Sequence, residues 1–325
     1  MTIPSTMRRW VLGALAATGV AAAVPAMAED FPDKPVTVTI PFSAGGSHDV
    51  NARIFTSILP SYLGQPVVIK LTPGAGGQAG TAAAIKAPAD GYSMLFTHSL
   101  VDQLQPLVAN LPYDTTAALT TVARINTAPA IFYVLADSPW QTIDDLVTYA
   151  KENPGELRYA HSGKWGTGFT GGAAVADHYG IEMTYLPYKG GGPMKLAVLS
   201  GDADFTLGRP GTIGAEIEAG KVRALLVGAD ERLPELPDTP TTTELGMPTE
   251  AIVMQRIVQV PSDLPEDRMQ VLRTAFRELQ EDKTYLRMMS QMGENVEYMD
   301  GPDYEKLRRQ QAESYSALVQ ALTGQ

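Results

Sequence analysis

The chain has no cysteine. That excludes disulfides, thiolate metal sites, a cysteine nucleophile and a lipid-carrying cysteine behind an export leader. Histidine is scarce, with four residues in 325 and no metal-ligand spacing among them, so no metal and no cofactor are expected. No Gly-x-Ser-x-Gly elbow, His-Glu-x-x-His helix or Walker-type phosphate loop occurs. Positive charge is in deficit, with 25 Lys and Arg against 36 Asp and Glu, a formal net charge of −11. Such a surface repels nucleic acid and anionic lipid, so a bound anion needs a local site rather than the global field. Membrane-spanning runs are lacking as well. The one long apolar run, Trp10 to Val24, is too short and is soon followed by Glu29-Asp30.

The N-terminus reads as an export leader. Arg8 and Arg9 give a basic start, the apolar run follows, and Ala26-Met27-Ala28 is a small-x-small cleavage pattern. Residues 1–28 are expected to be removed, leaving a freely soluble protein that is not lipid-anchored. A secretory signal is the plainer reading, and the arginine pair also permits a twin-arginine one. Residues 1–28 hold two arginines and no acid, so cleavage leaves 297 residues at −13. That length suits two medium domains better than one core.

Short β-branched runs alternate with helical patterns, which predicts an α/β protein with largely parallel sheets. Strands are expected at Val36 to Ile40, Val67 to Ile69 and Ser93 to Thr97, with a helix over about Asp49 to Leu63 and a short one at Thr81 to Ala87. A second series begins at Ile131 to Leu135. It runs through a helix at Ile143 to Glu152, strands at Arg158 to Ala160 and Met183 to Leu186, and helices near Gly172 to Tyr179 and Met194 to Ser200. Strands at Asp204 to Leu207 and Ala224 to Val227 complete it. Asp263 reads as the N-cap of a helix with Pro265 in its first turn, and a last helix covers Pro302 to Leu322. Pro- and Thr-rich stretches at Asn126 to Pro129 and Leu233 to Thr249 read as boundaries. The expected division is 29–128 plus 253–325 for a discontinuous first domain and 129–252 for the second, with a cleft between them.

The ordered segments of the mature chain resemble the substrate-binding proteins of the tripartite tricarboxylate transporters, the Bug receptors. The first strand ends in Pro41-Phe42-Ser43-Ala44-Gly45-Gly46-Ser47-His48-Asp49, followed by Ala52-Arg53. Gly64-Gln65-Pro66-Val67-Val68, Pro73-Gly74-Ala75-Gly76-Gly77, Asp90-Gly91-Tyr92 and Leu111-Pro112-Tyr113-Asp114 come next. Pro187-Tyr188-Lys189-Gly190-Gly191, Gly201-Asp202-Ala203-Asp204, Ala219-Gly220-Lys221-Val222-Arg223-Ala224-Leu225 and Leu236-Pro237-Asp238-Thr239-Pro240-Thr241 complete the set. The resemblance implies a type II periplasmic-binding-protein fold that closes on a small organic acid in the periplasm. It also implies a monomer that delivers this acid to membrane subunits and catalyses nothing.

The residues themselves say how an anion would be held. A strand, two glycines and a helix start leave unpaired N–H groups at a partly positive helix end, and Gly45 and Gly46 put no Cβ in the way. With the resemblance, Phe42, Ser43, Ala44, Gly45 and Gly46 are expected to line the site. Asp49 either faces the ligand or simply favours the helix start. His48 either supplies charge or occupies a turn. The opposing loop is expected to be Ser162, Gly163, Lys164, Trp165, Gly166, Thr167 and Thr170, where Trp165 could stack on a flat acid or pack at a domain edge. His98 follows the third strand, and Arg209 either binds a carboxylate through two N–H groups or is a surface arginine. Dicarboxylates, tricarboxylates and aromatic acids all fit. A hydrolase is the rival class, because Ser43, His48 and Asp49 have triad-like chemistry, though crowded into one turn. A receptor that signals to a sensor kinase is the other.

Overall fold

The computed structural model describes residues 31–247, 252–294 and 296–323. The leader expected at residues 1–28 lies outside them. The described residues form eleven strands: β1 (Val36–Ile40), β2 (Val67–Leu71), β3 (Ser93–His98), β4 (Leu119–Ala128), β5 (Ala130–Leu135), β6 (Arg158–His161), β7 (Thr184–Pro187), β8 (Phe205–Gly208), β9 (Val222–Gly228), β10 (Met254–Pro261) and β11 (Met299–Asp300). The helices are α1 (Ser47–Ile58), α2 (Pro60–Leu63), α3 (Gln78–Ile85), α4 (Gln105–Val108), α5 (Thr115–Ala118), α6 (Ile143–Glu152), α7 (Thr167–Tyr179), α8 (Gly191–Leu199), α9 (Pro210–Glu218), α10 (Glu266–Glu281), α11 (Lys283–Gln291) and α12 (Gly301–Thr323).

The strands form two sheets, ordered β11-β4-β10-β3-β1-β2 and β7-β6-β8-β5-β9. In the first, β1 pairs parallel with β2 and β3, while β10 runs antiparallel between β3 and β4. In the second, β6 is parallel to β7 and β8, and β5 is antiparallel to β8 and β9. Both sheets are covered on two faces, and the period-2 alternation of strands does the sorting. Met94 and Phe96 of β3 join one core while Leu95 between them joins another. Phe132 and Val134 of β5 face one side, Ile131 and Tyr133 the other. The fold is therefore α/β, in two domains.

β4 is the strongest departure from the sequence reading. It is the longest strand, and Asn126 to Ala128 belong to it instead of to a boundary loop. Only Pro129, which has no N–H to give a ladder, separates β4 in the first sheet from β5 in the second. The chain returns just before Met254, which pairs with Ala128, while Ala130 pairs with Gly228. The two crossings thus run side by side. Several helix starts also differ from the expectation: α1 begins at Ser47, α3 at Gln78, α7 at Thr167, α8 at Gly191, and α10 at Glu266 with Pro265, not Asp263, at the cap.

Asp102 ties the first domain to the final helix. Its side chain is fully buried, 2.6 Å from Arg308 of α12 and 3.0 Å from the Nε2 of Gln259, which donates to it. Burial outweighs Arg308 and lifts this carboxyl from 3.8 to about 6, and its second oxygen has no partner. The native state then keeps a proton that the unfolded chain has lost. Stability contributed here should fall as pH rises from 4 through 6, by on the order of 3 kcal/mol, and level off above. Denaturant unfolding at several pH values checks this: Asp102→Asn should flatten that segment of the profile, and an unchanged slope would refute it.

Candidate functional site

The turn after β1 is built differently from the expectation. The Gly45 N–H donates to Asp49 Oδ2 at 2.8 Å, and Asp49 also pairs with Arg53 at 3.0 Å. Gly45 has φ +73° and is exposed, and the Gly46 N–H points back to the Ser43 carbonyl at 3.4 Å. Asp49 is therefore a brace of the turn and does not face the cleft. The donors left over are those of the first helical turn, beginning at Ser47, because Gly46 at the cap has no side chain to satisfy them. Ser43, His48 and Asp49 form no hydrogen-bonded relay of the kind a triad requires.

Three more helices start at the same place. A cavity between the two sheets is lined by Gly46 and Ser47 of α1, Thr167 of α7, Gly191 of α8, and Arg209 and Thr212 of α9. Gly46, Gly166 and Gly190 are caps without side chains, so three helix N-termini converge with uncapped amides and positive dipole ends. Such close approach demands glycine. A Cβ on Gly192 would lie 2.7 Å from the Ala44 carbonyl, and one on Gly190 2.6 Å from Ser43 Oγ. The run Gly190-Gly191-Gly192 was the missed signal. The sequence reading ends its family segment at Gly191 and starts the helix at Met194, whereas α8 begins at Gly191.

Arg209 sits at the floor of this cavity. It is 3% exposed, and its Nη1 donates to the carbonyls of Ala128 at 2.8 Å and Ile252 at 2.9 Å. Its Nη2 is buried without a partner. Burial first, then nearby Arg256, push the guanidinium down to about 9. The other cations nearby are matched: Lys195 with Glu216 at 2.7 Å, Arg256 with Glu294 at 2.7 Å. No carboxylate among the described residues pairs with Arg209. His48 and His98 line the same cavity, 4% and 1% exposed. Burial pushes both well below the ordinary histidine range, assisted for His48 by His98 and for His98 by Arg209, so both are neutral at neutral pH. Phe42 stacks on His98 at 5.3 Å and leans on His48 at 4.6 Å. His48 Nε2 and His98 Nδ1 have no partner.

Of the residues expected from sequence, Phe42, Gly46, His48, His98, Ser162, Thr167 and Arg209 come together around this cavity. Gly163 lines an adjoining one with Gly76 and Tyr188, which shares Phe42 and Ser162. The others do not reach either wall. Ser43 is turned toward Gly190, Ala44 and Gly45 are exposed, and Gly166 serves as the cap of α7. Thr170 is buried with its hydroxyl donating to carbonyls of its own helix, those of Gly166 and Thr167. Trp165 adopts φ +62° and packs on Phe169 at 5.2 Å and on a core of the second sheet, with Lys164 Nζ 5.9 Å over its ring. The unforeseen lining residues include Tyr133, Met194 and Lys195. Among the described residues no group of three His, Asp or Glu could hold a metal.

Comparison with known proteins places the chain in a family. The family model for the tripartite tricarboxylate transporter family receptor matches residues 52–323. The chain is a member of that receptor family. Among curated relatives it is 32% identical to Protein BugT of Bordetella pertussis over 241 residues, 73% of each chain. Among solved structures it is similar to the periplasmic binding protein BugD at TM-score 0.85 and 26% identity, covering 90% of this chain and 98% of that one. R. palustris Rpa4515, solved with adipate, matches at TM-score 0.84 and 26% identity, with coverage of 90% and 98%. These receptors are solute-binding proteins of transport systems, which gives the two-domain fold its type. Among the described residues of this receptor, no helix is long and apolar enough to cross a membrane.

Proposed function

We propose that this receptor encloses a small organic carboxylate between its two domains and delivers it to the membrane subunits of a tripartite tricarboxylate transporter. The single observation that carries the proposal is the buried Arg209, which has an unpartnered Nη2 and lines a cavity rimmed by uncapped helix N-termini. A buried cation without an acid is costly, and an entering carboxylate supplies the missing charge. The helix amides hold the same group or a second one. The adipate in Rpa4515 supports a di-acid as one ligand class.

In this reading the first domain comprises 29–128 plus 253–325, the second 129–252, and closure turns on the two crossings. The leader is cut after Ala28, and the mature protein works in the periplasm as a free monomer that catalyses nothing. A thermal-shift screen of adipate, malate, citrate and benzoate tests the reading. At 100-fold excess over its Kd, a bound acid should stabilise by about 2.7 kcal/mol and raise Tm by roughly 5–10 °C. Uncharged sugars should not. A flat response to every organic acid would rule the proposal out.

A further inference from the structure

The position of Arg209 carries more than binding. Its backbone N–H donates to Thr212 Oγ1 at 3.1 Å, which fixes it to the first turn of α9 in the second sheet's layer. Its Nη1 bonds the last carbonyl of β4 and the carbonyl of Ile252, one on each crossing between the sheets. Arg209 also lines the cavity, and its Nη2 is buried without a hydrogen-bond partner. One rigid planar group therefore touches both hinge segments and the site. A guanidinium is suited to this because its donors diverge in one plane, whereas an ammonium presents one nitrogen.

Resting on the carboxylate reading above, we infer that Arg209 is the positioning residue that couples ligand charge to domain closure. Among the described residues, the hydrogen bonds of the guanidinium go to backbone carbonyls. A carboxylate at Nη2 neutralises it, strengthens its hold on the Ala128 and Ile252 carbonyls, and fixes the crossings in the closed angle. A ligand shifts a conformational equilibrium only by its differential affinity for the two states. Here that difference resides in one side chain. An uncharged analogue of the same shape would then enter the cavity without closing it.

Hydrogen exchange across the crossings, in Arg209→Lys, Arg209→Gln and the wild type, tests the coupling with adipate as probe. Without ligand, Arg209→Gln should exchange at least tenfold faster in the peptides around 128–130 and 252–254 and normally elsewhere. With saturating adipate, the wild type should gain protection there. Arg209→Lys should still bind, roughly tenfold more weakly, yet gain none at equal occupancy, a result that a merely structural arginine would not produce. Equal protection of the crossings in Arg209→Lys and wild type would overturn the inference, as would wild-type exchange in unliganded Arg209→Gln. If adipate fails to bind the wild type, the carboxylate reading fails for this acid. The unliganded comparison still decides the hinge contact.

Discussion

Replacing Glu294 with alanine should lower the unfolding free energy by about 3–5 kcal/mol, the cost of leaving a buried charge without its partner. Arg256 and Glu294 are both fully buried at their side chains, and the guanidinium reaches the two carboxylate oxygens at 2.7 and 3.1 Å. Asn51 of α1 and Asn126 of β4 donate to the same carboxylate at 3.3 Å each. The network joins α1, β4 and β10 behind the cavity, and a Cβ on Gly211 of α9 would lie 2.9 Å from Glu294 Oε1. The loss should therefore loosen the seat of two helix N-termini as well as the core. Urea unfolding of Glu294→Ala measures the cost, and a change below about 1 kcal/mol would mean that the pair is not buried as described. A double replacement, Arg256→Met with Glu294→Leu, should recover most of the loss, because no orphaned charge remains.

Gly192→Ala should separate folding from binding. The residue lies in the first turn of α8, where alanine is the better helix former by about 1 kcal/mol. Its new Cβ would nevertheless stand 2.7 Å from the backbone carbonyl of Ala44 in the opposite domain. Backbone cannot swing aside as a flexible side chain does, so the domains must stay apart. The variant should unfold at or above the wild-type temperature and bind organic acids at least tenfold more weakly, about 1.4 kcal/mol. Gly214→Ala is the control, since a Cβ there meets nothing within 4 Å. It should keep wild-type affinity. Wild-type affinity in Gly192→Ala, measured by calorimetry, would refute the close approach of the two domains.

Much of the fold was legible because its strands announce themselves. Val36 to Ile40 alternates Val and Thr before a proline, and β1 has those bounds. β4 was hidden because Asn126, Thr127 and Pro129 look like loop chemistry. Asn126 is in fact buried to serve Glu294, a partner 168 residues away that no local pattern reveals. The site was legible at the level of motif and blurred at the level of atoms. Gly45 and Gly46 mark the turn that opens α1, yet the Gly45 amide is consumed by Asp49, and the donors without a side-chain cap lie one step into the helix. Trp165 was attractive as a stacking platform. Its positive φ turns it onto Phe169 instead. Arg209 could be placed after a strand, but its lack of an acid partner is a fact of tertiary packing.

The most direct test is a crystal structure of the mature protein grown with an organic acid that raises its melting temperature. A ligand carboxylate oxygen within about 3 Å of Arg209 Nη2, with amides at the starts of α1 or α8 on the same molecule, is the expected result. An acid seated elsewhere, with Nη2 of Arg209 still unoccupied, would contradict it.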